Sequence, residues 1–161
     1  MNANLTNTKK NLLKVIKYVD GDGIIGREVY SKNEFEIRLY GIDAPEIKIC
    51  PKIIKDEKEL QMPAALLIKL GYLSFDFFRS LISIGDTFTL IQESNNLNDK
   101  YGRQLGYIEL ENGITINEIM IKEGYAKPYN EVFCEMLPLY QEWNLQAKIN
   151  SKGLYNQVDR F

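Results

Sequence analysis

Apolar and polar positions alternate along three stretches near the start of the chain. Leu12, Leu13, Val15, Ile16, Tyr18 and Val19 form a β-prone first strand. The turn residues Asp20-Gly21-Asp22-Gly23 follow, with the composition of a hairpin. Residues 24–30 read as a second strand, with Gly26 as a candidate bulge. In the third, Phe35, Ile37 and Leu39 alternate with Glu36, Arg38 and Tyr40, the period of a half-buried strand. Gly41 breaks that run, and Ala44-Pro45 closes it in an extended turn, because the residue before proline is excluded from the helical region. Three strands joined by short turns predict a meander.

The period then changes. Leu66, Leu70, Leu73, Phe77 and Leu81 fall near helical spacing and predict an amphipathic helix over 59–82, with Pro63 in its first turn. Gly71 inside it costs about 1 kcal/mol against alanine and argues against one unbroken helix. The charged stretch 47–58 before it reads as loop. Residues 87–92 and 104–110 read as a fourth and a fifth strand, separated by a polar loop. Thr115 with Glu118 fits a capping box, opening a short helix over 116–123 with Gly124 at its C-terminus. A last helix over 135–150 carries Met136, Tyr140, Trp143 and Ala147 on one face. The expected fold is a β-rich α+β domain, a five-stranded OB-type barrel with about three helices. A generic α+β sheet is the alternative. Residues 1–11 are expected to be a flexible lead-in and residues 12–161 a single domain.

Composition narrows the chemistry. The 161 residues hold enough for a real core. No apolar run is long enough to span a bilayer, so no membrane association is expected. Residues 1–10 lack the apolar core of a secretory signal, which leaves the compartment open. The formal net charge of −2 means that nucleic-acid binding would rest on a local cluster of cations rather than on the whole surface. There is no histidine, which excludes histidine catalysis and histidine-ligated zinc. Cys50 and Cys134 show neither zinc nor redox spacing. Two free thiols are the plain reading, and a disulfide closing a long loop is the alternative.

The turn after the third strand brings Arg38, Asp43 and Glu46 to one strand end. An arginine, a carboxylate able to hold a metal and a second carboxylate able to act as a base suit phosphodiester hydrolysis. The order Asp20-Gly21-Asp22, then Arg38 to Glu46, then Asp99-Lys100-Tyr101-Gly102-Arg103, then Asn117-Glu118 and Gly124-Tyr125-Ala126 resembles the thermonuclease, or staphylococcal nuclease-like, family. The resemblance runs from about residue 12 to 155. It implies a five-stranded OB barrel and a calcium-dependent phosphodiesterase that cuts DNA and RNA to 3′-phosphate and 5′-hydroxyl ends. It implies one Ca2+ held by Asp22, Asp43 and the Ala44 backbone carbonyl, with Arg38 and Arg103 gripping the phosphate and Glu46 as general base. Lys100 and Tyr101 would contact a terminal phosphate, and Tyr125 and Tyr129 lie near the nucleotide-stacking segment. A monomer is the default expectation. Gly23 stands where a hydroxyl residue is common, and the stretch 49–61 is longer than in compact members.

Two further expectations follow from the chemistry. Asp22 and Asp43 brought together without an ion should repel, raising the apparent pKa of the pair. A non-catalytic OB module that binds nucleic acid is the competing functional reading, and a purely structural OB domain is a third.

Overall fold

The computed structural model describes residues 5–161. Strand β1 (Thr8–Asp20) is the longest element of the sheet, and it pairs antiparallel on one side with β2 (Gly23–Glu28). On the other side it pairs antiparallel with β5 (Thr87–Glu93). β2 continues into β3 (Glu34–Leu39), and β3 pairs in parallel with β6 (Gln104–Glu109). β6 returns to β5, so the order β1-β2-β3-β6-β5 closes a barrel. Register shifts between Val15 and Lys17 and between Tyr18 and Asp20 interrupt the β1–β2 ladder. Such irregularities let one long strand bend around a small barrel.

The alternation read from the sequence is the inside–outside alternation of this barrel. Leu13, Val15, Ile24, Ile37, Leu39, Leu90 and Ile108 fill the interior. β1 starts at Thr8, inside the segment expected as a lead-in, because Thr8, Lys9 and Lys10 pair with Glu93, Gln92 and Ile91. Residues 1–4 of that expected lead-in lie outside the described residues. A two-residue strand, β4 (Ile42–Asp43), pairs with an equally short β7 (Lys127–Pro128).

Among the described residues there are four α-helices, one more than the approximate three expected. The stretch expected as loop contains α1 (Pro51–Leu60), which starts with proline in its first turn and ends at Gln61 in the left-handed region, φ 55°. The helix expected over 59–82 is therefore two. Gln61 to Pro63 break the chain, and α2 (Ala64–Leu81) begins afresh. α2 runs unbroken through Gly71. A methyl group at residue 71 would collide with the backbone carbonyl of Glu46, so this glycine marks a close approach and not a kink. α3 (Ile116–Lys122) opens as expected, the Thr115 side chain accepting from the Glu118 N–H. α4 (Leu137–Ile149) follows, with a short 3₁₀ turn at Gly153–Asn156.

Both cysteines are free thiols. Cys134 is buried, its sulfur against Gly41, where an added Cβ would stand 2.7 Å away. Among the described residues no helix is long and apolar enough to cross a membrane.

Candidate functional site

Three segments meet on one face of α2. The Gly21 turn fits because a Cβ there would lie 2.8 Å from both the Ala44 Cβ and the Ser74 Oγ. The Pro45–Glu46 backbone rests on Gly71. Ser74 is buried and donates to the Tyr125 carbonyl at 2.6 Å. Small residues on α2 thus let two acidic turns and the chain leading to β7 approach the same helix.

The result is a half-sealed ionic cluster at the end of β3. The Arg38 guanidinium lies 2.9 Å from Asp22 Oδ2 and 3.3 Å from Asp43 Oδ1. Asp22 Oδ2 also accepts from the Ala44 N–H at 2.9 Å, which ties the first turn to the second. The Tyr129 ring lies under Arg38, 5.6 Å from the guanidinium carbon. That position follows from a bond linking the Tyr129 N–H to the Gly41 carbonyl at 2.8 Å.

Lys52, on the first turn of α1, completes the cluster. Its Nζ stands 2.7 Å from Asp43 Oδ1 and 3.2 Å from Glu46 Oε1. Nothing in the local sequence marks this residue, since 47–58 reads as loop. Pro51 at a helix start and the i,i+4 pair Lys55–Glu59 are the available signals for the helix that carries it.

Lys52 and Arg38 change the expected electrostatics. Burial alone would push the Asp22 carboxyl up, but the Arg38 guanidinium, with help from Asp20, Lys52 and the Ala44 N–H, holds it below the usual range. The expected repulsion between Asp22 and Asp43 is thus neutralised by cations the chain itself supplies. Crowding between carboxylates occurs one turn earlier. Burial, followed by the charge of Asp22, pushes Asp20 up to about 8.

Arg103 is held separately. It lies just before β6, where the register Ile37–Gln104 sets it level with Glu36. Its Nε donates to Asp99 Oδ2 at 2.7 Å, and Glu36 stands 3.8 Å away. Asp99 Oδ1 accepts from the Tyr101 and Arg103 N–H groups, both at 2.9 Å, so this aspartate shapes the whole turn. Burial would raise the Asp99 pKa, but the bonds from Arg103 and Tyr101 lower it on balance. Tyr101 is 74% exposed, with Lys100 and Arg103 both near its ring.

The structure therefore brings Asp22, Arg38, Asp43, Ala44, Glu46 and Tyr129 together. It sets Arg103, Lys100 and Tyr101 on a neighbouring turn. Tyr125 is not at the cluster: its ring stacks on Phe77 at 4.1 Å and 15°, which makes it a packing residue of the α2 face.

The donor set suits a hard cation. Among the described residues no group of three or more acidic, cysteine or histidine side chains converges as a metal site. Two carboxylates are available, and carbonyl and water oxygens would complete a calcium shell. The Lys52 ammonium, lodged between Asp43 and Glu46, occupies oxygens that a metal ion would need.

A family model described as staphylococcal nuclease homologue matches residues 36–157. Over 149 residues the chain is 31% identical to Endonuclease YhcR of Bacillus subtilis (strain 168), covering 90% of this chain but 11% of that protein. It is 29% identical over 147 residues to an uncharacterized endonuclease of Escherichia coli O157:H7, covering 91% of this chain and 78% of that one. It is 30% identical over 159 residues to an uncharacterized protein, MJ1439, of Methanocaldococcus jannaschii, covering 89% and 70%.

Proposed function

The chain belongs to the staphylococcal nuclease homologue family, and from that premise we propose that it is a calcium-dependent nuclease cutting DNA, RNA or both to 3′-phosphate and 5′-hydroxyl ends. The observation that carries this reading is the buried Arg38 between Asp22 and Asp43 with Glu46 three residues further on. Buried ionic clusters contribute little to stability after desolvation, so a cluster of this kind calls for another purpose.

In this reading Asp22, Asp43 and the Ala44 carbonyl would hold a calcium ion. When bound, the ion supplies positive charge to the phosphate oxygens and eases attack by water. Arg38 and Arg103 approach the phosphate from neighbouring positions on one face of the β3–β6 pair. Their planar forks match paired oxygens, and they offset the charge that grows on a five-coordinate phosphorus. Glu46 takes the proton of the attacking water. Its side chain is 25% exposed, so water reaches it without crossing the core. Tyr129 limits the freedom of Arg38 and offers a ring edge to a base. Lys100 and Tyr101 border the Arg103 turn, where an end phosphate would arrive.

Lys52 is the one observation favouring the second reading, a non-catalytic OB module, because it fills the carboxylate cluster with a lysine. Plasmid digestion with calcium and with excess chelator separates the two. Cleavage is expected with calcium only, and Glu46→Gln should slow it by about 10²–10⁴, the scale of general-base catalysis. Cleavage that persists in chelator, or an unaffected Glu46→Gln, would remove calcium or the base from this account. An intact plasmid under every condition would favour the binding module.

A further inference from the structure

A cavity of about 230 Å³ lies behind the β4–β7 ribbon, between β7, α4 and the last residues of the chain. Lys127, Lys148, Arg160, Asn130 and Asn144 contribute to its wall, and no aspartate or glutamate side chain does. This is unusual in a chain with 22 acidic and 20 basic residues. The cations are lightly engaged. Lys148 rests 5.5 Å from the Tyr155 ring centre, and Arg160 reaches only the Leu60 carbonyl, at 3.5 Å. Lys127 donates to the main-chain oxygen of Phe161 at 2.7 Å. The three cations face no acidic side chain in the wall, which leaves it positively charged.

The cavity adjoins the ionic cluster. Lys127 is the residue paired with Asp43 across the ribbon, and Pro128 is paired with Ile42. A smaller recess lined by Asp43 and Glu46 is also lined by Lys127 and Phe161. One wall therefore separates the carboxylates from a cation-lined hollow. Its volume falls below the roughly 300–1,000 Å³ of sites that engulf a whole small molecule, so it suits one segment of a longer ligand.

We propose that this cavity is a second substrate subsite, which takes a backbone phosphate of a single nucleic-acid strand one or more nucleotides from the bond held at Arg38. The identity of the strand rests on the nuclease reading above. Lys148 and Arg160 supply the charge, and the Asn130 and Asn144 amides offer hydrogen bonds without reading a base. Such a subsite gives an acidic protein a local source of affinity for a polyanion. It also makes affinity depend on strand length, because a longer strand can engage Arg38 and the cavity at once.

The test measures binding in excess chelator, so that no cleavage is needed. A fluorescent octanucleotide and a competing dinucleotide are compared on wild type, Lys148→Gln and the Lys148→Gln/Arg160→Gln double variant. Both side chains are exposed, and melting curves check that the fold is kept. Wild type should bind the octanucleotide at least tenfold tighter than the dinucleotide, about 1.4 kcal/mol. The double variant should lose most of that gain, and the single variant part of it. The salt dependence of octanucleotide binding should become shallower by about 0.7 in log–log slope for each phosphate that is no longer neutralised. An unchanged length gain and slope in a folded double variant would overturn the subsite. Pocket-dependent binding beside a plasmid that stays intact with calcium would support the subsite while overturning the hydrolase.

Discussion

Arg38 and Arg103 are two arginines on one face of the barrel, about two residues of strand apart, and they are held in opposite ways. Arg38 sits on a strand with its side chain 11% exposed, between two carboxylates from two different turns. Arg103 sits at a loop edge with its side chain 30% exposed, and its nearest carboxylate is Asp99 of the same turn. The first is fixed by tertiary structure, so its removal disturbs what it holds together. The second is fixed by a short piece of local chain, so it can be exchanged with little cost to the fold. Two groups assigned the same chemical task can therefore differ widely in what they do for stability.

Substituting each arginine should separate the two most strongly. Arg38→Lys and Arg103→Lys keep the charge but lose the fork, and each should lower kcat by about 10²–10³, the cost of removing one transition-state donor. Thermal or denaturant melting should then separate them. Arg38→Met leaves Asp22 and Asp43 buried without their counterion and should destabilise by about 3–5 kcal/mol. Arg103→Met breaks a partly exposed local pair and should cost about 1 kcal/mol. Equal losses of stability would erase the distinction, and near-wild-type turnover in both lysine variants would remove their assigned roles.

Lys52 sharpens the same contrast from the carboxylate side. Its ammonium occupies oxygens that a divalent ion would need, so Lys52→Met should tighten calcium binding. The Lys52 side chain is 36% exposed and that of Asp43 9%, and a pair open to water on its lysine side contributes about 1 kcal/mol, so the expected gain is about fivefold. Calorimetry and the calcium-induced rise in Tm both report it. A variant that binds calcium more weakly than wild type would show that Lys52 assembles the site instead of competing for it.

The smallest effect concerns Asp99. Its folded pKa is depressed, so what it lends the Arg103 turn is present above the usual carboxylate range and is lost as pH falls through the folded value. Amide exchange at Tyr101 and Arg103 should accelerate, relative to other turns, as pH drops through that value. Protection independent of pH there would mean that Asp99 does not hold the turn.

Much of this architecture is legible from alternation alone. Glu36 to Leu39 announces a half-buried strand because Ile37 and Leu39 are buried and Glu36 and Arg38 are less so, whereas Tyr40, expected on the polar side, is buried as well. The α1 helix is hidden because Ile53 is its one buried side chain, so its pattern is dominated by charge. Asp22, Arg38, Asp43, Glu46 and Arg103 stand out through an ordered set of short motifs. Lys52 carries no motif, and its place depends on how α1 packs. Spacing likewise offers no way to separate Tyr129, which reaches Arg38, from Tyr125, which stacks on Phe77. Which side of a segment meets which helix is a tertiary fact.

The close approach at Gly71 gives one hydrogen atom on a helix control over the height of a distant turn. The Glu46 carbonyl lies where a side chain would begin, so any larger residue at position 71 acts as a shim under the turn that carries Asp43 and Glu46. The shim would lift those carboxylates away from Arg38 and Asp22, which are anchored on the barrel and would stay behind. For an engineer this makes position 71 a single-residue adjustment of site geometry, made from a neighbouring helix and leaving every charged group unaltered.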